Sequence, residues 1–332
     1  MDNLNTEQRI ALLVRLGEYM ESNDLAWMDA QDRAASANPW FTPEHISLAI
    51  DNIVNEYLQA DALKKWIAAY TVPAHPQKVG IVMAGNIPLV GFHDLLCGFV
   101  SGHNLLIKLS SKDEILIKYI VARLAEWAPT VADQIIIADR LNDCDAYIAT
   151  GSNNTARYFE QYFGKYPHII RKNRTSVALL DGSETDEELA LLADDVYLYY
   201  GLGCRNVTQV CVPRHYNFER LLRVFSRHNH YANLNKYKNN YDYHLAIYLL
   251  NKVPYMSNDS LLMVENELPF SAVSVLHYKY YDNQEQLVSQ LLQSDDIQAI
   301  IGKGFIPLGD SQKPALSEYA DGVDTMVFLC GL

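Results

Sequence analysis

Over residues 1 to 70 apolar positions recur every three or four, as in Ile10, Leu13, Leu16 and Met20, a spacing that predicts helices. The stretch "FTPEHISLAIDNIVNEYL" adds a start signal, because Thr42 suits an N-cap and Pro43 the first helical position. The pattern changes after the turn-rich "TVPAHPQ". "KVGIVMAGN" is a short continuous apolar run ending in a glycine turn, "IPLVGFHDLLCGFVSG" is apolar at helical spacing with Pro88 near its start, and "HNLLIKLSS" is a second apolar run. Strand, helix and strand within about 30 residues predict a parallel βαβ crossover. A second unit follows, with "DEILIKYIVARLAEWAP" as helix and "DQIIIAD" and "DAYIATGS" as strands.

Residues 181 to 300 repeat the alternation: "DEELALLADDVYLYY", "NFERLLRVFSRH" and "NQEQLVSQLLQS" read as helices, "VTQVCVP", "SLLMVEN" and "AVSVLHYKYY" as strands. The expected fold is α/β with two domains and a cleft between them. The first domain, residues 1–175, carries N-terminal helices and a nucleotide-binding sheet; residues 176–332 form the second. An open parallel sheet binds its ligand at the carboxyl ends of its strands, which singles out the loops at Ala84-Gly85-Asn86 and Thr150-Gly151-Ser152.

Composition narrows the function. Of 332 residues, 49% are hydrophobic, ample for a large core, and a net charge of −13 disfavours nucleic acid as a partner. The absence of a basic-then-apolar leader and of any run of about 18 apolar residues leads to the expectation of a cytoplasmic chain with no membrane span. Five cysteines, odd in number and without a CxxC pair, suit reduced thiols better than disulfides or structural zinc. His228 and His230 lie close together, but without a further ligand at suitable spacing no metal is expected.

Two cysteines stand seven positions apart in "GLGCRNVTQVCVP". Cys211 alternates within a strand and reads as a small buried residue. Cys204 follows Gly201-Leu202-Gly203 and precedes Arg205, a setting with the exposure and positive neighbourhood that lower a thiol pKa; most unpaired cysteines are structural all the same.

The order of segments resembles the aldehyde dehydrogenase superfamily and, within it, the LuxC-type acyl-CoA reductases that make fatty aldehyde. "GIVMAGNIPLVGFHDLLCGFVSGHNLLIKLSS" resembles the superfamily's asparagine-ended strand, helix and lysine-bearing strand; "YIATGSNNTARYF" its phosphate turn; "GLGCRNVTQVCVP" its nucleophile loop; "VENELPFSAVSV" its glutamate segment; and "ADGVDTMVFLCGL" its closing strand. The likeness spans about residues 78 to 332. It implies that Cys204 is the nucleophile and Asn86 the side-chain half of an oxyanion hole, although Gly85-Asn86 also suits an ordinary turn. Lys108 and Ser110, with Ser111 beside it, would hold the adenosine ribose or a 2′-phosphate, and Gly151 and Ser152 the pyrophosphate; a Thr-Gly-Ser turn is equally a good N-cap. Ala156 departs from a glycine common in the family. Glu267 would bind the nicotinamide ribose.

Hydrolytic relatives carry a glutamate base where this chain has "HIIRKNRTSVALL", which has no acid. The resemblance therefore implies reduction of acyl-CoA or acyl-carrier thioesters with NADPH, or NADH, rather than aldehyde oxidation. Arg171, Lys172 and Arg174 would favour anionic carrier groups or form a solvated turn. A hydrolytic aldehyde dehydrogenase and a catalytically silent acyl-binding subunit are the alternatives. An acyltransferase or synthetase partner, and a homo-oligomer closed by the C-terminal strand "DTMVFLCGL", complete the expectation.

Overall fold

The computed structural model describes residues 4–332. Among them the chain divides into two compact units, one running up to Asn173 and resumed at Pro314–Leu332, the other Arg174–Lys313. Four helices open the first unit: α1 (Thr6–Met20), α2 (Leu25–Ala37), α3 (Pro43–Tyr57) and α4 (Ala60–Ile67). Asn5 and Gln8 close a reciprocal capping box on α1, and Thr42 accepts a bond from the His45 N–H with Pro43 in the first turn of α3, as expected. Ile10, Leu13, Leu16 and Met20 are all buried in one apolar core with Trp27, Ile46 and Leu63.

The chain then alternates: β1 (Lys78–Val82), α5 (Phe92–Ser101), β2 (Asn104–Lys108), α6 (Ile115–Trp127), α7 (Val131–Gln134), β3 (Ile135–Ile137), β4 (Ala146–Thr150), α8 (Asn153–Phe163) and β5 (His168–Arg171). The strands form a parallel sheet in the order β3-β2-β1-β4-β5. Their near-continuous apolar sequences follow from a sheet covered on both faces. The order reverses at β1, which places the switch point between β1 and β4, where doubly wound sheets hold ligands.

The second unit holds β6 (Thr175–Leu179), α9 (Asp186–Tyr197), β7 (Val207–Pro213), α10 (Phe218–Phe225), α11 (Asn235–Leu250), β8 (Met256–Ser257), β9 (Leu262–Glu265), β10 (Val275–Tyr281), α12 (Gln284–Leu292) and β11 (Ile297–Gly302). Its sheet runs β11-β6-β7-β10-β9-β8, parallel except for the β8–β9 edge. Two of the four tyrosines of "NKYKNNYDYHLAIYLL" are core here: Tyr237 and Tyr241 are buried while Tyr243 is exposed, and Tyr237 packs 5.7 Å from Tyr200 and 6.1 Å from Tyr231 between ring centres.

The C-terminal segment departs from expectation. Instead of an oligomerisation strand, residues Thr325–Cys330 form a helix, α13, and belong to the first unit. Asp324 caps it, accepting from the Val327 N–H at 2.8 Å, and Met326 and Leu329, three apart, are fully buried in the first unit's core. Six residues with two buried apolar positions at helical spacing and a cap are better satisfied as a helix than as a strand.

Arg171, expected in an anion-binding or solvated turn, is buried at the end of β5. Its guanidinium pairs with Asp94 of α5 and donates to the Thr325 hydroxyl of α13 at 2.8 Å. One ion pair thus ties a strand, a crossover helix and the C-terminal helix. Removing one partner strands a buried charge, so Asp94→Ala or Arg171→Met should each lower unfolding free energy by about 3–5 kcal/mol in urea titrations, while the double change Asp94→Leu/Arg171→Met recovers much of the loss.

Candidate active site

In the first unit the ends of three strands are level: Val82 of β1 is in register with Lys108 of β2 on one side and Ala149 of β4 on the other. Everything beyond these residues therefore leaves the sheet together. Lys108 is exposed, and its carbonyl accepts from the Met83 N–H at 3.0 Å. Gly85 lies so close to the next turn that a Cβ there would stand 2.6 Å from both Cβ and Oγ of Ser110, a separation no side chain tolerates. Asn86, half-buried, follows directly. The helix expected from Pro88 onward starts only at Phe92, because residues 86–91 are spent in turns and Leu89 adopts φ 57°.

At the end of β4, Gly151 is needed for packing, since a Cβ would meet Phe159 at 2.9 Å and Thr155 at 3.0 Å. Its N–H donates to the Arg171 carbonyl at 3.2 Å, which commits that donor to the sheet edge. Ser152 caps α8, accepting from the Thr155 N–H at 3.3 Å, and lies exposed with Asn153 and Asn154 at the first turn. Ala156 is fully buried in that helix. A cationic amine, two serine hydroxyls and a helix N-terminus beside the switch point form a donor set that fits an anionic dinucleotide.

In the second unit Cys204 sits in a tight turn that leads into β7. The turn is closed by the Asn206 N–H donating to the Gly203 carbonyl at 3.1 Å, and Ser176 donates to the Cys204 carbonyl at 3.1 Å. Asn206 is completely buried: its Oδ1 accepts from Gly203 N–H at 2.8 Å, and its Nδ2 donates to the carbonyls of Asp195 and Leu198 at 3.0 and 2.8 Å. The turn is entered through Tyr199, Tyr200 and Gly201, all with positive φ of 54°, 57° and 73°. Two tyrosines in the left-handed region store strain of about 1–2 kcal/mol each, held by the ring packing of Tyr200 on Tyr231.

Glu267 occupies the exposed turn after β9. The carbonyls around it are pinned: Gln209 donates to Asn266 and Leu268 at 2.8 and 3.2 Å, and Thr208 to Pro269 at 2.6 Å. The Glu267 turn is thereby fastened to the strand whose start carries the Cys204 turn.

The other thiols are poor nucleophiles. Burial pushes Cys211 up to about 12 and raises Cys97, Cys144 and Cys330 above the ordinary cysteine value. Cys204 is only half-buried. His228 contacts Asp194 at 2.8 Å and stacks on Tyr197, and among the described residues no cluster of three or more His, Cys, Asp or Glu could hold a metal ion. Nor is any helix among them long and apolar enough to cross a membrane.

Residues 3–218 match the family described as Acyl-CoA reductase (LuxC). The chain belongs to the LuxC acyl-CoA reductase family. No curated protein matches it. Its fold is that of the aldehyde dehydrogenases: a Mycobacterium tuberculosis aldehyde dehydrogenase complexed with NAD+ superposes with TM-score 0.67 at 14% identity, over 93% of this chain and 75% of that one. A NAD-dependent benzaldehyde dehydrogenase from Corynebacterium glutamicum gives 0.66 at 13% identity, over 90% and 76%, and the NAD+ complex of a Bacillus cereus aldehyde dehydrogenase gives 0.62 at 14%, over 90% and 72%. The family is one of acyl-CoA reductases, and the fold of this LuxC-family chain is that of the aldehyde dehydrogenases.

The pattern of the sequence passed over Asp113, in the β2–α6 loop. Its Oδ2 accepts from the Leu89 N–H at 2.8 Å, Oδ1 is buried without a partner, and burial pushes the carboxyl up from 3.8 to about 7. An acid directly before the helical run "EILIKYI" was the available signal. Because the folded carboxyl keeps its proton to higher pH than the unfolded one, folding takes up a proton in between, and this group costs the LuxC-family chain stability as pH rises from about 4 to about 7. Asp113→Asn lacks that cost, so its unfolding free energy relative to wild type should climb by an amount on the order of a few kcal/mol across this range and level off above it, as followed by denaturation at several pH values.

Proposed function

We propose that the chain reduces acyl thioesters, presented on coenzyme A or on an acyl carrier, to aldehydes through an acyl-enzyme on Cys204. The observation that carries this reading is the fixed Cys204 turn: a half-buried thiol beside Arg205, held by a fully bonded Asn206, in a family of acyl-CoA reductases. A nucleophile on a rigid turn keeps its attack geometry without paying for ordering at each turnover.

The Cys204 thiolate adds to the thioester carbonyl. The Cys204 backbone N–H would donate to the oxyanion so formed, and the resemblance to the aldehyde dehydrogenases implies the Asn86 side-chain amide as the second donor, each such donor contributing about 3–4 kcal/mol when aimed at the developing charge. Collapse expels the carrier as its thiolate and leaves the acyl group on Cys204. A reduced nicotinamide dinucleotide, when bound, would supply hydride to the acyl carbon, and Cys204 would leave as thiolate as the resulting thiohemiacetal gives up the aldehyde. The stretch His168–Leu180 contains no carboxylate to activate water, which favours this fate over hydrolysis to the acid.

Lys108 and Ser110 would hold the adenosine end, with the Lys108 ammonium supporting a 2′-phosphate and hence NADPH over NADH. Ser152 and the first N–H groups of α8 would hold the pyrophosphate, and Glu267 the nicotinamide ribose hydroxyls. Mixing the protein with a fatty acyl-CoA should add the acyl mass to the peptide containing Cys204, as read by mass spectrometry; label on Cys211, or none, overturns the assignment. Asn86→Ala should lower the rate of acyl transfer about 10²- to 10³-fold. Lys108→Ala should weaken NADPH binding at least about tenfold while leaving NADH within about twofold, the loss of one charge-assisted bond to phosphate; equal losses for both would remove the 2′-phosphate from the picture.

A further inference from the structure

The loop that carries Asn86 is held at three points, all in the first unit. At its start the Met83 N–H donates to the Lys108 carbonyl, and then Gly85 presses against Ser110 with no room for a side chain. Past Asn86 the Leu89 N–H donates to Asp113. Leu89 is buried with φ 57°, a conformation that an L-residue enters only when its surroundings insist. Asp113 itself is fixed from below, its N–H donating to the Ser110 carbonyl at 3.0 Å. Two of the three pins, Ser110 and Asp113, therefore belong to one turn, which carries the expected dinucleotide contact Ser110 and lies just beyond Lys108 at the end of β2.

We propose that Asp113 is a positioning residue for Asn86: by accepting the Leu89 N–H it sets the β1–α5 loop against the Ser110 turn and so aims the Asn86 amide. This inference rests on the thioester-reductase reading for its catalytic meaning. The clamp itself is an observation about the loop. It also joins two functions in one hinge-free block, since a displacement of the Ser110 turn would carry Asp113, Leu89 and Asn86 with it. Oδ2 makes the clamp, and the neighbouring Val90 N–H also favours the ionised carboxyl. An asparagine keeps an acceptor of the same shape, whereas alanine removes it.

Two measurements on the full chain test the proposal. In hydrogen–deuterium exchange, Asp113→Ala should speed exchange in the peptide spanning residues 84–91 while peptides of α1, α3 and β4 stay as in wild type, and Asp113→Asn should restore protection. In single-turnover acyl transfer from a fatty acyl-CoA, without dinucleotide, Asp113→Ala should slow release of coenzyme A about tenfold or more. Asp113→Ala/Asn86→Ala should then be no slower than Asn86→Ala alone, within about twofold, because a residue that acts through another adds nothing once that other is gone. Rate losses that multiply in the double variant, or unchanged exchange at 84–91, overturn the positioning role. If wild type shows no acyl transfer at all, the thioester reading falls, while the exchange result still decides whether Asp113 holds the loop.

Discussion

Residue-for-residue pairing of β1 with β2 and β4 is the constraint on which the first unit's candidate site depends. Parallel strands joined by crossover helices must all release their chains at one edge, and the reversal of order at β1 sends the neighbouring crossovers to opposite faces. Val82, Lys108 and Ala149 stand abreast, so the Asn86 loop, the Ser110 turn and the capped start of α8 emerge side by side. Each is then fixed by a short-range device: a glycine that admits the neighbouring turn, a carboxyl that holds a left-handed leucine, a serine cap.

The second unit solves a different problem by similar means. The proposed nucleophile, Cys204, would have to be exposed enough to meet substrate yet held still, and a loop alone gives exposure without order. Here a single buried amide, Asn206, satisfies donors and acceptors from both ends of the loop, and the strained Tyr199-Tyr200-Gly201 entry is offset by aromatic packing behind it. The Glu267 turn is tied by side chains of the same strand, β7, that follows the thiol. Rigidity in both places comes from buried polar side chains bonded to main chain, the arrangement that makes a loop as precise as a strand.

Much of the fold was legible because its signals are local. Thr42-Pro43 announced a helix, "KVGIVMAGN" and "HNLLIKLSS" announced strands, and the two α/β blocks followed from the alternation of periods. Signals shorter than a turn were lost: His168–Arg171 is too brief to show a period, and "DTMVFLC" reads as a strand until its burial against the first unit's core is known. Candidate site residues were legible as motifs, but their partners were not. Arg171 looked like part of a basic turn because Asp94 is 77 positions away, and the N–H of Gly151 looked available because its acceptor is supplied by the neighbouring strand. Asp113 was invisible for the same reason, since only the fold brings it to Leu89.

Chemistry at Cys204 can be followed in a single cycle. When acyl-enzyme is isolated by gel filtration and then given NADPH, one equivalent of the dinucleotide should be oxidised per labelled Cys204 and one equivalent of aldehyde released, with the free thiol regenerated. Release of the carboxylic acid with the dinucleotide unchanged, or aldehyde formation that persists in Cys204→Ser, would contradict the central claim.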